Sequence, residues 1–135
     1  MHIIIHTDGG SRGNPGVGAV GVVITDEHHN KLASFAKKIG VVTNNEAEYQ
    51  AVIEALHYVK SSLSHVTKID FVMDSLLVCQ QLRGLYKIKK THLKELAFRV
   101  RTFEVELGVQ ATYRYVPRKE NAEADRLLNQ VLDEA

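Results

Sequence analysis

Four acidic residues lie at positions where a metal ion could be held. Asp8 and Asp74 each end an apolar, strand-like run. Glu48 falls on the apolar side of the first strong helical pattern, and Asp125 falls near the start of the last one. Acidic side chains are rarely buried without a compensating partner. The set therefore favours a divalent cation, and Mg²⁺ with phosphate chemistry is a typical use of such a cluster.

The first helix separates two glutamates that lie close together in sequence. Glu48 shares its face with Ala51 and Val52, which form an apolar stripe, whereas Glu46 shares its face with polar residues such as Gln50. The pattern predicts that Glu48 points toward the sheet and Glu46 toward water. An acidic residue in the first turn is also favoured by the helix dipole, and for Glu46 this is the preferred interpretation.

Local explanations exist for the other acidic residues. Asp8 could be a turn residue before two glycines, Asp74 could be the N-cap of the helix that follows it, and Asp125 could be a first-turn aspartate. These explanations weaken together, because both Asp8 and Asp74 end strands. If those strands are neighbours, their carboxyl ends open into one crevice and lie ~4.8 Å apart. Asp70 lies in mid-strand, and an exposed position is expected for it.

The elements that must position these residues follow from the periodicity. Strands are predicted at 3–8, 17–25, 31–39, 66–73 and 109–116, and helices at 44–61, 74–83, 91–107 and 121–134. The glycine-rich stretch 9–16 is predicted to be a turn. The order βββαβααβα predicts an α/β fold with one mixed sheet, antiparallel for strands one to three and parallel for strands four and five. We expect a single domain over 1–135.

Composition excludes several classes of site. The net charge of +1 does not indicate a nucleic-acid binder, although a balanced total can hide a basic stripe. Cys79 is the single cysteine, which excludes an internal disulfide and fits a reducing compartment and a small core residue. No apolar run approaches the ~20 residues of a membrane span. The seven histidines have no ligand spacing on one element. A cytoplasmic protein without a membrane segment is expected.

Four motifs, in order along essentially the whole chain, resemble type 1 ribonuclease H. They are TDGGS at 7–11 with NPG at 14–16, TNNEAEY at 43–49, DS at 74–75 and NAEAD at 121–125. The resemblance implies a ribonuclease H-like fold and cleavage of the RNA strand of RNA–DNA hybrids, producing 5′-phosphomonoesters. It implies two Mg²⁺ ions, with Mn²⁺ as a possible replacement, and a metal-binding, catalytic quartet of Asp8, Glu48, Asp74 and Asp125. A monomer without an obligatory protein partner is expected.

The resemblance also implies which residues contact the substrate. Hybrid-binding positions carried over by sequence are Gly9, Gly10, Ser11, Asn14, Thr43, Asn44, Asn45 and Ser75, of which Thr43 corresponds to a contact with a DNA phosphate. Asparagine side chains and backbone amides suit the 2′-hydroxyl that distinguishes RNA from DNA. Lys87, Lys89 and Lys90 could follow the DNA backbone, or they could form a solvated loop.

Two departures from the family pattern leave alternatives open. The segment 116–121 lacks the histidine that many relatives carry before the last helix, so Arg118, Lys119 or Glu120 could replace it, or nothing does. Only the short connection 84–90 stands where some relatives insert a basic helix. The alternatives are therefore a noncatalytic nucleic-acid-binding module and a nuclease of other specificity, such as one for double-stranded RNA.

Overall fold

Five strands form one mixed sheet in the computed structural model of the protein, which describes residues 1–134. They are β1 (His2–Gly13), β2 (Gly16–Asp26), β3 (Lys31–Val42), β4 (Lys68–Met73) and β5 (Gln110–Tyr115). The order across the sheet is β3-β2-β1-β4-β5. Strands β1 to β3 pair antiparallel, whereas β4 is parallel to both β1 and β5. The predicted fold is confirmed, and β1 and β4 are neighbours as the crevice required.

Four α-helices flank the sheet. They are α1 (Asn44–Ser62), α2 (Leu76–Leu82), α3 (Thr91–Leu107) and α4 (Ala122–Leu132), and a 3₁₀ turn over Arg118–Asn121 leads into α4. Helices α1 and α3 pack together on one face of the sheet, whereas α4 packs against β2 and β1. The buried core contains Ile5, Phe71 and Cys79, so the core position predicted for the cysteine is confirmed. Within residues 1–134, no helix has the length and apolar character that crossing a membrane requires.

The turn predicted for 9–16 is wrong in its extent. Strand β1 continues to Gly13, which pairs with Gly16 at the start of β2, so the reversal occupies only 14–15. Glycines in such a stretch favour a turn, but a glycine inside a strand can also mark the close approach of another backbone. Gly9 is such a residue, because a Cβ placed there would lie 2.1 Å from the carbonyl oxygen of Ala47 on α1.

Candidate active site

Three of the four predicted acidic residues converge at the carboxyl end of β4, where its pairing with β1 ends. Asp8, Glu48 and Asp74 each offer a carboxylate oxygen within 4.8 Å of the others. Asp8 and Glu48 are 4% and 8% exposed, respectively. Asp8 lies on β1, and Asp74 directly follows the parallel neighbour β4, while Glu48 reaches them from the second turn of α1. This geometry matches the inward orientation that the helical pattern predicts for Glu48.

Helix α1 is held against β1 at Gly9. Because Gly9 has no side chain, the backbone of Ala47 and Glu48 can approach it closely, and the Gly9 amide donates a 2.7 Å hydrogen bond to Glu48 Oε1. The start of α1 is fixed independently by a capping box, in which the Thr43 hydroxyl accepts from the Glu46 amide and the Glu46 carboxylate accepts from the Thr43 amide. Glu46 therefore has a structural partner, and Glu48 alone faces the acidic site.

Helix α4 lies on the other face of the sheet, and it also approaches the site through a close backbone contact at a glycine. Gly21, the β2 partner of Asp8, would place a Cβ 2.1 Å from the carbonyl oxygen of Ala124. The buried Asn121 donates a 2.8 Å hydrogen bond from Nδ2 to the carbonyl oxygen of Thr7, which ties the start of α4 to β1. These two contacts bring Asp125 beside Asp8.

Asp125 lies at the edge of the acidic cluster. It lines the same cavity as the other three carboxylates, but it is not among the three whose oxygens lie within 4.8 Å of one another. Its Oδ1 accepts a 3.1 Å hydrogen bond from Asn129 Nδ2, one turn further along α4. Its side chain also contributes to raising the pKa of Asp8, after the larger effects of burial and of the Glu48 and Asp74 charges.

Asp74 does not cap α2. The N-cap is Ser75, whose hydroxyl accepts a 3.3 Å hydrogen bond from the Val78 amide. The N-cap alternative for Asp74 is therefore wrong. The Asp74 carboxylate, only 9% of whose side-chain area is exposed, faces the acidic cavity instead.

The electrostatics of the cluster favour a cation. Burial raises the pKa of Asp8, and the neighbouring charges of Glu48 and Asp74 raise it further. Burial also raises the pKa of Glu48, although the nearby Asp8 side chain and the hydrogen bond from the Gly9 amide partly oppose this effect. Asp8 Oδ2 is buried and has no hydrogen-bond partner among residues 1–134. Crowded carboxylate oxygens of this kind fit a hard divalent cation, because Mg²⁺ prefers oxygen ligands.

Arg118 brings a positive charge close to the carboxylates. Arg118 lines the acidic cavity, and its Nε lies 3.9 Å from Asp74 Oδ2 while 79% of its side-chain area stays exposed. Lys119 and Glu120 are exposed in the same 3₁₀ turn, but they do not line this cavity. Of the three residues considered in place of the absent histidine, Arg118 is therefore the one that the fold brings to the site.

Most of the predicted substrate-binding residues surround the same cavity, which has a volume of about 510 Å³. Those that line it are Gly9, Gly10, Ser11, Asn44, Asn45 and Ser75. They form a connected rim, because Asn44 Oδ1 accepts a 3.0 Å hydrogen bond from the Ser11 amide and Asn14 Oδ1 accepts one of 3.0 Å from the Asn44 amide. Polar groups that could meet a sugar are thus held in place before any ligand arrives.

The remaining predicted residues lie beside this cavity. Asn14, Thr43 and Lys90 line a smaller cavity that also contacts Asn44 and Asn45. Lys87 and Lys89 line a third one together with Lys90 and Asn45. The loop that carries the three lysines (the basic loop) therefore adjoins the rim formed by Ser11, Asn14, Asn44 and Asn45 (the asparagine rim), and none of the four carboxylates lines these two cavities.

Several residues of the site received no role from the sequence. Arg12, Tyr115 and Asn129 line the acidic cavity, and Asn121 anchors α4. The spacing of Asn129 four residues after Asp125 is a helical signal that could have identified it. Arg12 and Tyr115 carry no such signal, because their positions depend on the extended β1 and on the register between β4 and β5.

Comparison with known proteins gives a consistent set of matches. The family model described as RNase H matches residues 1–132. The bifunctional protein Rv2228c of Mycobacterium tuberculosis is 39% identical over 136 residues, covering 100% of this chain and 36% of its own length. The crystal structure of RNase H1 from the archaeon Halobacterium salinarum NRC-1 superposes with a TM-score of 0.92 at 35% identity, covering 100% of both chains. The structure of LC11-RNase H1 in complex with RNA/DNA hybrid gives 0.89 at 41% identity, covering 95% of this chain and 94% of that one. The chain thus spans about a third of the mycobacterial relative's length.

Proposed function

This chain belongs to the RNase H family, and on that basis we propose that it hydrolyses the RNA strand of RNA–DNA hybrids. The family membership confirms the resemblance drawn from the four motifs. The observation that carries the proposal is the convergence of Asp8, Glu48 and Asp74 within 4.8 Å, with one Asp8 oxygen buried and unpartnered. Burying several carboxylates together destabilises the fold, and a module that only binds nucleic acid would not require such a cluster.

A divalent metal is required in this family, and the acidic cluster suits one. We propose that two Mg²⁺ ions, replaceable by Mn²⁺, are held by Asp8, Glu48 and Asp74, with Asp125 at the edge. When bound, such a pair of ions activates water and neutralises charge on the leaving oxygen. The bond that breaks joins phosphorus to the 3′-oxygen, which leaves a 3′-hydroxyl on one product and a 5′-phosphate on the other.

The residues of the chain orient both the carboxylates and the substrate. The Gly9 amide holds one Glu48 oxygen, so the rotamer of Glu48 is fixed before substrate binds. The rim that joins Ser11, Asn44 and Asn14 offers amide and hydroxyl groups that suit a 2′-hydroxyl. Arg118 would oppose the negative charge of a phosphate that enters the cavity. Electrostatic groups held in advance in this way lower the barrier more than groups that must reorganise.

Cleavage of hybrid, double-stranded RNA and double-stranded DNA, compared side by side with Mg²⁺ and with Mn²⁺, tests the proposal. We expect cleavage of the hybrid alone and its loss in Asp8→Asn. Asp70→Asn is a matched control, since Asp70 lies on the same sheet but is hydrogen bonded to His2 and Thr112. Hybrid binding without any cut would favour the module, and preferred cleavage of double-stranded RNA would change the substrate. Equal activity in Asp8→Asn and the wild type would refute the site.

Other expectations remain proposals of the same kind. We propose that the chain acts as a single domain over 1–135, as a monomer, and in the cytoplasm. A monomeric mass in solution would support the second of these, and the lone buried Cys79 is compatible with the third.

A further inference from the structure

A second groove adjoins the acidic cavity at the edge strand β5. It has a volume of about 650 Å³, and its lining includes Leu76, Gln80 and Arg83 from α2 with Arg114 and Tyr115 from β5. Tyr115 lines both the groove and the acidic cavity. The two depressions are therefore continuous around one exposed aromatic residue.

The groove carries positive charge that the protein does not neutralise. Arg83 and Arg114 are exposed, and within residues 1–134 neither lies within 4.0 Å of a carboxylate oxygen. Within residues 1–134, the Arg83 guanidinium donates only to the neutral Gln80 side chain, at 3.1 Å from Nη1 to Oε1. Asp70 also lines the groove, but its carboxylate already accepts hydrogen bonds from His2 and Thr112. Two arginines without a carboxylate partner against one hydrogen-bonded carboxylate leave the groove with a net positive charge, which suits phosphate groups.

The order of the strands defines where the groove lies relative to the acidic site. Strands β1, β4 and β5 are consecutive in the sheet: Asp8 follows the part of β1 that pairs with β4, Asp74 follows β4, and Tyr115 ends β5 in register with Met73. Adjacent strands are ~4.8 Å apart, so Tyr115 is on the order of 10 Å from the strand of Asp8. That distance is about three nucleotides of axial rise at ~3.4 Å each. Tyr115 is 45% exposed, and tyrosine hydroxyls are common phosphate donors.

We propose that the RNA-containing strand, on one side of the bond that is cut, runs past Tyr115 into this groove, where Arg83 and Arg114 bind its phosphates. The inference rests on the proposed function, because it takes the acidic site as the place of cleavage. It assigns a role to residues that lie outside the asparagine rim and the basic loop. Phosphate contacts of this kind add affinity and register without reading sequence.

The test substrate is a duplex in which one strand is DNA except for a short run of ribonucleotides, so that cleavage can occur only at that run. The duplex can then be shortened independently on either side of the cleavage site. On the full-length duplex, the double variant Arg83→Gln/Arg114→Gln should raise KM about tenfold and leave kcat unchanged. A duplex that is too short to reach the groove cannot contact Arg83 or Arg114, so the variant and the wild type should have equal KM values for it. The salt dependence of binding should fall by roughly 0.9 in log–log slope for each phosphate that the variant no longer neutralises.

Arg99→Gln/Arg126→Gln is the matched control, because both arginines are exposed, neither lines the groove or the acidic cavity, and the same charge is removed. Equal thermal midpoints would establish that both double variants are folded. An unchanged KM in the groove variant, an equal rise on all duplexes, or the same rise in the control would overturn the proposal. If the wild type cuts nothing, the proposed function fails. Binding of the long and shortened duplexes by the wild type and the groove variant would then still support or overturn the groove on its own.

Discussion

The Gly9 amide donates a 2.7 Å hydrogen bond to Glu48 Oε1, and this contact joins the strand that carries Asp8 to the helix that carries Glu48. It forms only because Gly9 has no side chain, since a Cβ there would lie 2.6 Å from the Glu48 nitrogen. One residue thus sets both the packing of α1 on β1 and the orientation of a carboxylate in the acidic site.

Gly9→Ala should therefore reduce stability and activity together. The added methyl group would lie 2.1 Å from the Ala47 carbonyl oxygen, so α1 must shift away from β1. Overpacking of this kind costs about 1–3 kcal/mol. Gly10→Ala is a close control, because its Cβ would meet only Leu128 Cδ1 at an ordinary 3.7 Å. Denaturant unfolding of both variants measures the difference, and equal stabilities would show that the close approach at Gly9 is not needed.

Asp8→Asn should stabilise the metal-free protein at neutral pH. Burial, with the nearby charges of Glu48 and Asp74, raises the pKa of Asp8 above its unfolded value of about 3.9. The folded state therefore holds that proton more tightly than the unfolded state. The free energy of unfolding must then fall as pH rises from about 4 toward the raised folded pKa. Asparagine does not titrate, so the variant should avoid this pH-dependent loss, which is on the order of 1–3 kcal/mol at neutral pH.

Unfolding followed from pH 4 to pH 8 in EDTA, and then with Mg²⁺, measures this effect. The wild type should lose stability with rising pH and regain it with Mg²⁺, because a ligand that binds only the folded state stabilises it. Asp8→Asn should give a flatter profile and little response to Mg²⁺. In Asp70→Asn the sign should reverse. Burial acts to raise the pKa of Asp70, but hydrogen bonds from Thr112 and His2 outweigh it and hold that pKa below its usual value. A stabilised Asp70→Asn, or a destabilised Asp8→Asn, would contradict the electrostatic account.

The carboxylates could be predicted from the sequence because each has a local signature. Asp8 and Asp74 end apolar runs, and Glu48 falls on the apolar stripe of a helix. Periodicity gives the face of an element, and the end of an apolar run marks where a strand leaves the hydrophobic core, although β1 itself continues beyond Asp8 to Gly13. Both signals can be read from the sequence without knowledge of the tertiary structure. For this reason three of the four carboxylates converge as the sequence pattern predicts.

Other features depend on contacts that are distant in sequence. The turn predicted at 9–16 was wrong, because the absence of a side chain at Gly9 serves α1, which begins at Asn44. The choice of Arg118 over Lys119 depends on how a single 3₁₀ turn faces β4. Tyr115 reaches the site through the parallel register of β4 and β5. None of these relationships leaves a periodic signal in the chain.

Arg118→Ala should slow cleavage and strengthen divalent metal binding. The guanidinium lies 3.9 Å from Asp74, so its removal takes away a charge that opposes phosphate and also one that competes with a cation. Because the side chain is largely exposed, we expect a loss in kcat of about tenfold, below the ~10²–10³ typical of a buried oxyanion donor. Arg118→Lys should keep part of the rate, and Lys119→Ala should have no effect. Steady-state kinetics and Mg²⁺ titration by calorimetry provide the measurements. Weaker metal binding in Arg118→Ala would contradict this role.

Replacing Lys87, Lys89 and Lys90 together with glutamine should weaken substrate binding without changing the chemistry. Lys90 lines the small cavity with Asn14 and Thr43, and all three lysines share a cavity with Asn45, so the loop adjoins the asparagine rim rather than the carboxylates. We expect KM to rise, kcat to stay nearly constant, and the log–log salt slope to fall by roughly 0.9 for each phosphate that is left without its lysine. Lys37→Gln/Lys38→Gln on the edge strand β3 is the control; it removes two charges rather than three, and neither lysine lines these cavities. Steady-state kinetics over a range of salt concentrations would measure KM, kcat and the salt slope. A solvated loop without substrate contact would leave KM and the salt slope the same as in the β3 control.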